Sequence, residues 1–289
     1  MKKLLTLLVT AVLTLTACFG LTACGGDAVT ETDDQLAALT EVKAGTSDIA
    51  VIDSVMANYY VNKDNFSDLM ILDGEAFTFD SEFYAIGARK GGNTDDYMSA
   101  ALYVLQMQNV LQPIAEKYGL TDVLCTIPGD VVEGLPEPGA NNFDLNSDFG
   151  KILTKGELVL GYTLFEPIAY MDDNTLTGFD IEVAQAVCDF YQIDLKPVKI
   201  NWNTKEDELN NGNIDVIWNG FTYTDERAEN IDFSSFYLTN RQAIVIRKSD
   251  AQKYVDYASM KDAQFAAESE SAGESTIRNI ILPLVNPAE

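Results

Sequence analysis

The sequence predicts a two-lobed α/β protein, each lobe a mainly parallel sheet flanked by helices. Three observations predict it. Strand-like apolar runs alternate with amphipathic helical patterns through the second half of the chain, which implies parallel sheets covered on both faces. The 289 residues, 47% of them apolar, are enough for two medium-sized cores. Two segments far apart in the chain, residues 48–53 (DIAVID) and 214–227 (IDVIWNGFTYTDER), each end an apolar run in polar side chains, as complementary halves of one cleft would.

Taken in order, residues 1–24 read as a targeting leader. Met1-Lys2-Lys3 is a short basic start, and residues 4–17 form an apolar stretch too short for a comfortable membrane span. Small residues precede a cysteine twice, at Leu15-Thr16-Ala17-Cys18 and Leu21-Thr22-Ala23-Cys24. Both resemble the lipobox of bacterial lipoproteins. Cys24 is preferred over Cys18 because Gly25-Gly26-Asp27 follows as a tether, and a plain cleaved signal peptide stays open. A diacylated, N-acylated cysteine buries enough methylenes for stable anchoring on the extracytoplasmic side of the cell membrane.

Without the leader, 17 basic residues face 45 acidic ones, a net charge of −28. That balance excludes nucleic acid and anionic lipid headgroups as partners. The chain has no histidine, which excludes histidine triads, histidine metal sites and imidazole bases. No metal or cofactor is expected. Cys125 and Cys188 remain; Cys188 lies on the apolar face of a predicted helix as a buried thiol, with a Cys125–Cys188 disulfide as the alternative.

A strand is expected near residues 28–32. Residues 35–43 have helical spacing and Gly45 stops them; residues 48–53 form a buried strand and 54–61 a helix. Residues 82–89 (EFYAIGAR) form another strand, turned by Lys90-Gly91-Gly92. A long amphipathic pattern over 95–118 ends at Gly119. Proline, glycine and asparagine then mark 121–147 as a linker. Strands at 157–161, 195–200, 214–218 and 242–248 alternate with helices at 179–191 and 206–211. Thr224 has N-cap chemistry, with Asp225 and Glu226 in the first turn.

In an open α/β sheet, ligands collect where strands end and helices begin. The strand at 214–218 delivers Asn219, Gly220, Phe221 and Thr222 to such an edge. Gly220 lets a ligand approach the backbone, Thr222 offers a hydroxyl, and Arg227 stands one turn into the next helix, able to grip a carboxylate. Read singly, Arg227 is more often a surface arginine paired with a neighbour such as Glu226 or Asp232.

From Gly156 onward the order GELVLGYTLFEPIAYMDDNTLTGFDIEVAQAV, INWNTKEDELNNGNIDVIWNGFTYTDERAENIDFSSFYLTN and QAIVIRKSD resembles the first part of the bacterial family-3 extracellular solute-binding proteins, the polar amino-acid receptors of ABC transporters. The family's second part resembles upstream sequence instead: residues 39–60, 82–91 and 93–119, the last ending in its final KYG. The resemblance therefore implies a type II periplasmic-binding-protein-like fold, circularly permuted. It implies lobe 2 over 28–81 and 259–289, and lobe 1 over 82–120 and 148–250. The linker at 121–147 then joins the family's usual termini, and crossing segments near 82–89 and 244–249 form the hinge.

The resemblance also implies roles. Phe165 and Trp202 match aromatics that sandwich the ligand's side chain, with core packing as the alternative for each. Asn219 borders this pocket. Gly220 and Thr222 match groups receiving the α-amino group, Asp53 the acid pairing with it, and Arg227 the carboxylate-binding arginine. Ser271 and Ala272 match a helix-opening loop whose N–H groups meet the carboxylate. Glu270 stands where the family has glycine, a position where glycine permits φ > 0. The implied function is a non-catalytic lipoprotein that captures a polar amino acid and delivers it to a membrane permease. A sensory amino-acid-binding lipoprotein, a dehydratase-like enzyme on this fold and two incomplete tandem domains stay open.

Overall fold

The computed structural model describes residues 28–286 apart from 62 and 136–142. Cys18, Cys24 and the leader lie outside the described residues, as does part of the expected linker.

The chain opens with β1 (Val29–Thr32), α1 (Gln35–Ala44), β2 (Ile49–Asp53), α2 (Ser54–Tyr60) and β3 (Leu69–Ile71). Asp34 caps α1 by accepting from the Ala37 N–H, and Gly45 closes it in the left-handed region at φ 78°. Next come β4 (Glu82–Tyr84) and β5 (Gly87–Arg89), which the sequence read as one strand. The helix expected over 95–118 is two, α3 (Thr94–Met107) and α4 (Leu111–Tyr118). The break falls at Asn109, whose φ is 56°. Pro113 explains it: in a continuous helix its ring would clash with the carbonyl of Asn109, whereas in the first turn of α4 its missing N–H costs nothing.

Beyond Ser147, which caps it, runs α5 (Asp148–Lys155). Then follow β6 (Glu157–Tyr162), the hairpin β7 (Tyr170–Asp172) and β8 (Thr175–Thr177), α6 (Phe179–Tyr191), β9 (Asp194–Lys199), α7 (Lys205–Asn210), β10 (Val216–Ile217), α8 (Asp225–Ala228) and β11 (Ile231–Phe233). The chain finishes with β12 (Leu238–Asn240), β13 (Gln242–Arg247), β14 (Phe265–Glu268) and a helical run, α9 (Ala272–Thr276), a π turn and α10 (Leu282–Val285).

Two five-stranded sheets organise these elements. The first runs β9-β6-β10-β5-β11, with β5 antiparallel to its neighbours. The second runs β1-β14-β2-β13-β3, with β13 antiparallel to its neighbours. Alternation along each strand feeds both faces: Leu158 and Leu160 of β6 pack with α3 and α6 residues such as Leu102 and Val187, while Val159 joins Leu209, Ile214 and Ile217. In the second sheet Ala50 and Ile52 of β2 face one core and Ile49 and Val51 the other. Both sheets are thus covered on both sides, as near-continuous apolar strands require.

The sheets are joined by a short antiparallel ribbon, β4 with β12, in register Tyr84 to Leu238 and Glu82 to Asn240. This ribbon corrects two expectations. Residues 244–249 are not a crossing segment; Ile244 and Ile246 are fully buried strand residues of the second sheet. Residues 242–247, assigned from sequence to the first lobe, pair with β2 and β3. The physical reason is that an apolar strand pattern shows burial but not which sheet provides its partners. The segment read as linker also makes ordered contacts: the Cys125 N–H donates to Tyr237 O at 2.9 Å, and Ile127 is buried. Cys125 and Cys188 are free thiols, Cys188 fully buried.

Candidate functional site

The first sheet contributes a turn. Beyond β10 the chain reaches Asn219, whose amide donates to Thr163 Oγ1 at 2.8 Å, and then Gly220 at φ 59°. Only glycine fits there. A Cβ would stand 2.7 Å from the Phe165 ring and 3.0 Å from that of Tyr84, quite apart from the left-handed backbone. The buried Asp180 carboxylate fixes this turn, accepting from the Gly220 N–H at 2.7 Å and the Tyr237 hydroxyl at 2.9 Å. Burial pushes the Asp180 carboxyl up to about 7 against those hydrogen bonds. Thr222 is buried, and Thr224 caps α8 as expected, accepting from the Arg227 N–H. Arg227 Nη1 donates to the Thr222 carbonyl at 2.7 Å, and the guanidinium lies 4.7 Å over the Phe221 ring.

The second sheet contributes an acid and a helix start. Asp53 ends β2 fully enclosed; its carboxylate accepts from the side-chain amides of Gln35 and Asn240, and from Gln242 at 3.0 Å. Burial raises the Asp53 carboxyl and these donors partly offset it. Glu82 of β4 accepts from Gln242 at 2.8 Å, and burial with the neighbouring Asp53 lifts it to about 7. Ser271 caps α9 through its hydroxyl, and its backbone N–H donates to Glu268 O at 3.2 Å. Of the expected N–H pair, that of Ser271 is therefore already satisfied. Ala272 opens the helix, where N–H groups lack intrahelical acceptors. Glu270 takes the left-handed conformation at φ 59°, so the loop keeps the shape expected of a glycine.

Both contributions meet. Phe165, Trp202, Asn219, Gly220, Thr222 and Arg227 from one sheet, and Asp53, Ser271 and Ala272 from the other, line one narrow cavity of about 10 Å³, room for about one water. Arg227 Nη2 closes the gap by donating to Glu270 O at 3.1 Å, and Lys205 Nζ reaches the same carbonyl at 3.4 Å. Trp202 serves two environments, lining the cavity while packing edge-on against Phe221 in the core. Two cavity residues were missed from sequence, Gln35 and Glu268. Each stands where a strand meets a helix, Gln35 opening α1 after β1 and Glu268 ending β14 three residues before Ser271, and that placement was their available signal. A wider cleft continues outward past Arg227, Ser271 and Ala272 to Lys205 and Arg278.

Residues 158–279 match the model of the bacterial extracellular solute-binding proteins, family 3. That segment belongs to this family. It carries eight of the nine cavity positions expected from sequence, all but Asp53. Among the relatives, the arginine-binding extracellular protein ArtP of Bacillus subtilis is 28% identical over 104 residues, 36% of this chain and 41% of ArtP. The L-cystine-binding protein TcyA of the same organism is 30% identical over 145 residues, 46% of this chain and 54% of TcyA. The chain thus spans about two-fifths to one-half of these curated relatives. A solved substrate-binding protein of a polar amino acid ABC uptake transporter from Streptococcus thermophilus is 36% identical, covering 33% of this chain and 38% of its own, with a TM-score of 0.30. Among the described residues, no helix is long and apolar enough to cross a membrane.

Proposed function

We propose that this protein captures a polar amino acid between its two lobes, without catalysis, and presents it to the permease of an ABC uptake transporter. One observation carries the reading: an enclosed acid from one lobe and an arginine from the other share a single cavity with two aromatics and a glycine turn. In this reading Asp53 with Gly220 and Thr222 receives the ammonium group, Arg227 with the start of α9 receives the carboxylate, and Phe165, Trp202 and Asn219 meet the side chain. A ligand touching both lobes binds the closed form better than the open form and shifts the population toward closure. The names of the relatives, receptors for arginine and cystine, support the ligand class.

The same reading makes Cys24 the lipid-bearing residue, tethering the second lobe close to the bilayer. It also makes the chain a circular permutant opened inside that lobe, with residues 121–147 joining the ancestral ends. Calorimetric titration tests the site. Arg227→Ala and Asp53→Asn should each weaken amino-acid binding at least about tenfold, the low end of a charge-assisted contact of roughly 1.5–3 kcal/mol. Unchanged binding in both variants removes the assignment. Cys24→Ser should release the protein from the membrane fraction, and its retention there refutes the anchor.

A further inference from the structure

Glu268 is the one acid on the cavity wall that the proposed reading leaves without a task. It is 4% exposed, and its Oε1 meets no hydrogen-bond donor among the described residues. Asp53, by contrast, is held by three amide donors. The nearby cations are committed elsewhere. Arg227 spends its guanidinium on the carbonyls of Thr222 and Glu270, and Lys205 donates to the carbonyls of Trp202 and Glu270.

Resting on that reading, we propose that the bound amino acid carries a positively charged side chain, an ammonium or guanidinium group, and that Glu268 is its counter-ion and the residue that sets specificity. The argument is one of charge and satisfaction. The ligand's ammonium offsets Asp53, and its carboxylate offsets Arg227. With a neutral side chain, Glu268 stays a buried carboxyl with an unmet oxygen, which low-dielectric surroundings penalise. An anionic side chain offers Glu268 no donor and adds repulsion from Asp53. A cationic one supplies both the missing charge and the missing donors. Discrimination then comes as much from penalising the other two classes as from the new contact.

The groups facing Glu268 point the same way. Asp53 and Asp34 act with burial to push its carboxyl up to about 8, and Lys205 and Arg227 oppose them from across the cavity. At neutral pH the empty cleft therefore keeps a proton on Glu268, which an arriving cation displaces. Cation binding should release a proton and strengthen as pH rises from 6 to 8.

The test is calorimetry on the full-length mature chain with L-arginine, L-lysine, L-glutamine and L-glutamate, using the wild type and the near-isosteric Glu268→Gln. Arginine or lysine should bind the wild type at least about thirtyfold tighter than glutamine, with proton release seen as a heat that varies between buffers of different ionisation enthalpy. Glu268→Gln should cut that preference at least about tenfold and abolish the buffer dependence. Competition among the four ligands on the wild type gives the ranking without any variant. Glutamine or glutamate matching the cations, or an unchanged arginine-to-glutamine ratio in Glu268→Gln, overturns the proposal while leaving the amino-acid receptor intact. Failure of every amino acid to bind overturns the receptor reading itself, and this inference with it.

Discussion

The two lobes have the same sheet built from differently ordered chain. In the first, strands β6, β9, β10 and β11 follow in sequence, and β5, arriving from the ribbon, inserts antiparallel between the last two. In the second, β14 plays the part of β6 and β1 that of β9, followed by β2, β3 and the antiparallel β13. The patterns coincide strand for strand only when the C-terminal β14 is read before the N-terminal β1. What the difference teaches is that a lobe here is defined by pairing and register, and that the same ladders form from two different chain orders. The second lobe also closes the longer loop: the contact between β1 and β14 joins Val29 to Phe265, a separation that no pairing in the first lobe approaches.

Corresponding substitutions in the two lobes sharpen this comparison. The largest expected effects come from glycines over which a helix docks on backbone. In the first lobe a Cβ on Gly178, at φ 126°, would lie 2.2 Å from Ile168 O; in the second, one on Gly273 would lie 2.3 Å from Val51 O. Alanine at either should cost about 3 kcal/mol, lowering Tm by roughly 6–12 °C in a scanning calorimeter. Loss of one transition with the other unmoved would show that the lobes unfold separately.

Acids buried in each lobe give the next effect. Asp180 is raised to about 7 and Glu268 to about 8, so the native state binds more protons than the unfolded chain between the ordinary carboxylate range and those values. Their stabilising contribution is complete at low pH and is lost as pH climbs through 7 and 8. Tm of the ligand-free protein should therefore fall between pH 5 and 8. Asp180→Asn should flatten the part near 7, and Glu268→Gln the part near 8. A flat wild-type profile would contradict both shifts. The smallest effect is a gain: Glu270→Gly should relieve the left-handed backbone and stabilise by about 0.5–1 kcal/mol, with ligand affinity unchanged.

Local chemistry was the legible part of the sequence. Gly45, Gly119 and Thr224 sit at helix ends as read, because capping depends on a few adjacent residues. The polar ends of 48–53 and 214–227 face each other because both strands end at the edge where open sheets bind ligands. Illegible were the choices among partners. Nothing in QAIVIR tells which sheet receives β13, and the three-residue β4 and β12 are too short to show a period. Pro113 was a breaker in plain view, overridden by the amphipathic pattern around it. Glu268 escaped because a glutamate after an apolar strand reads as a solvated end, and nothing adjacent in the chain shows that it is buried.

Of the three amides that cradle Asp53, only one stands off its lobe: Gln35 opens α1 and Gln242 lies opposite Asp53 across β13 and β2, whereas Asn240 belongs to the joining ribbon. Glu82 lies opposite Asn240 in that ribbon and accepts from it at 3.3 Å and from Gln242 at 2.8 Å. In the proposed reading, a rotation of one half against the other would displace Asn240 relative to the acid and so alter how strongly it holds a proton or an ammonium group. Grip and gape would then be geared through that one amide: the angle between the halves would tune the acid, and neutralising the acid would bias the angle.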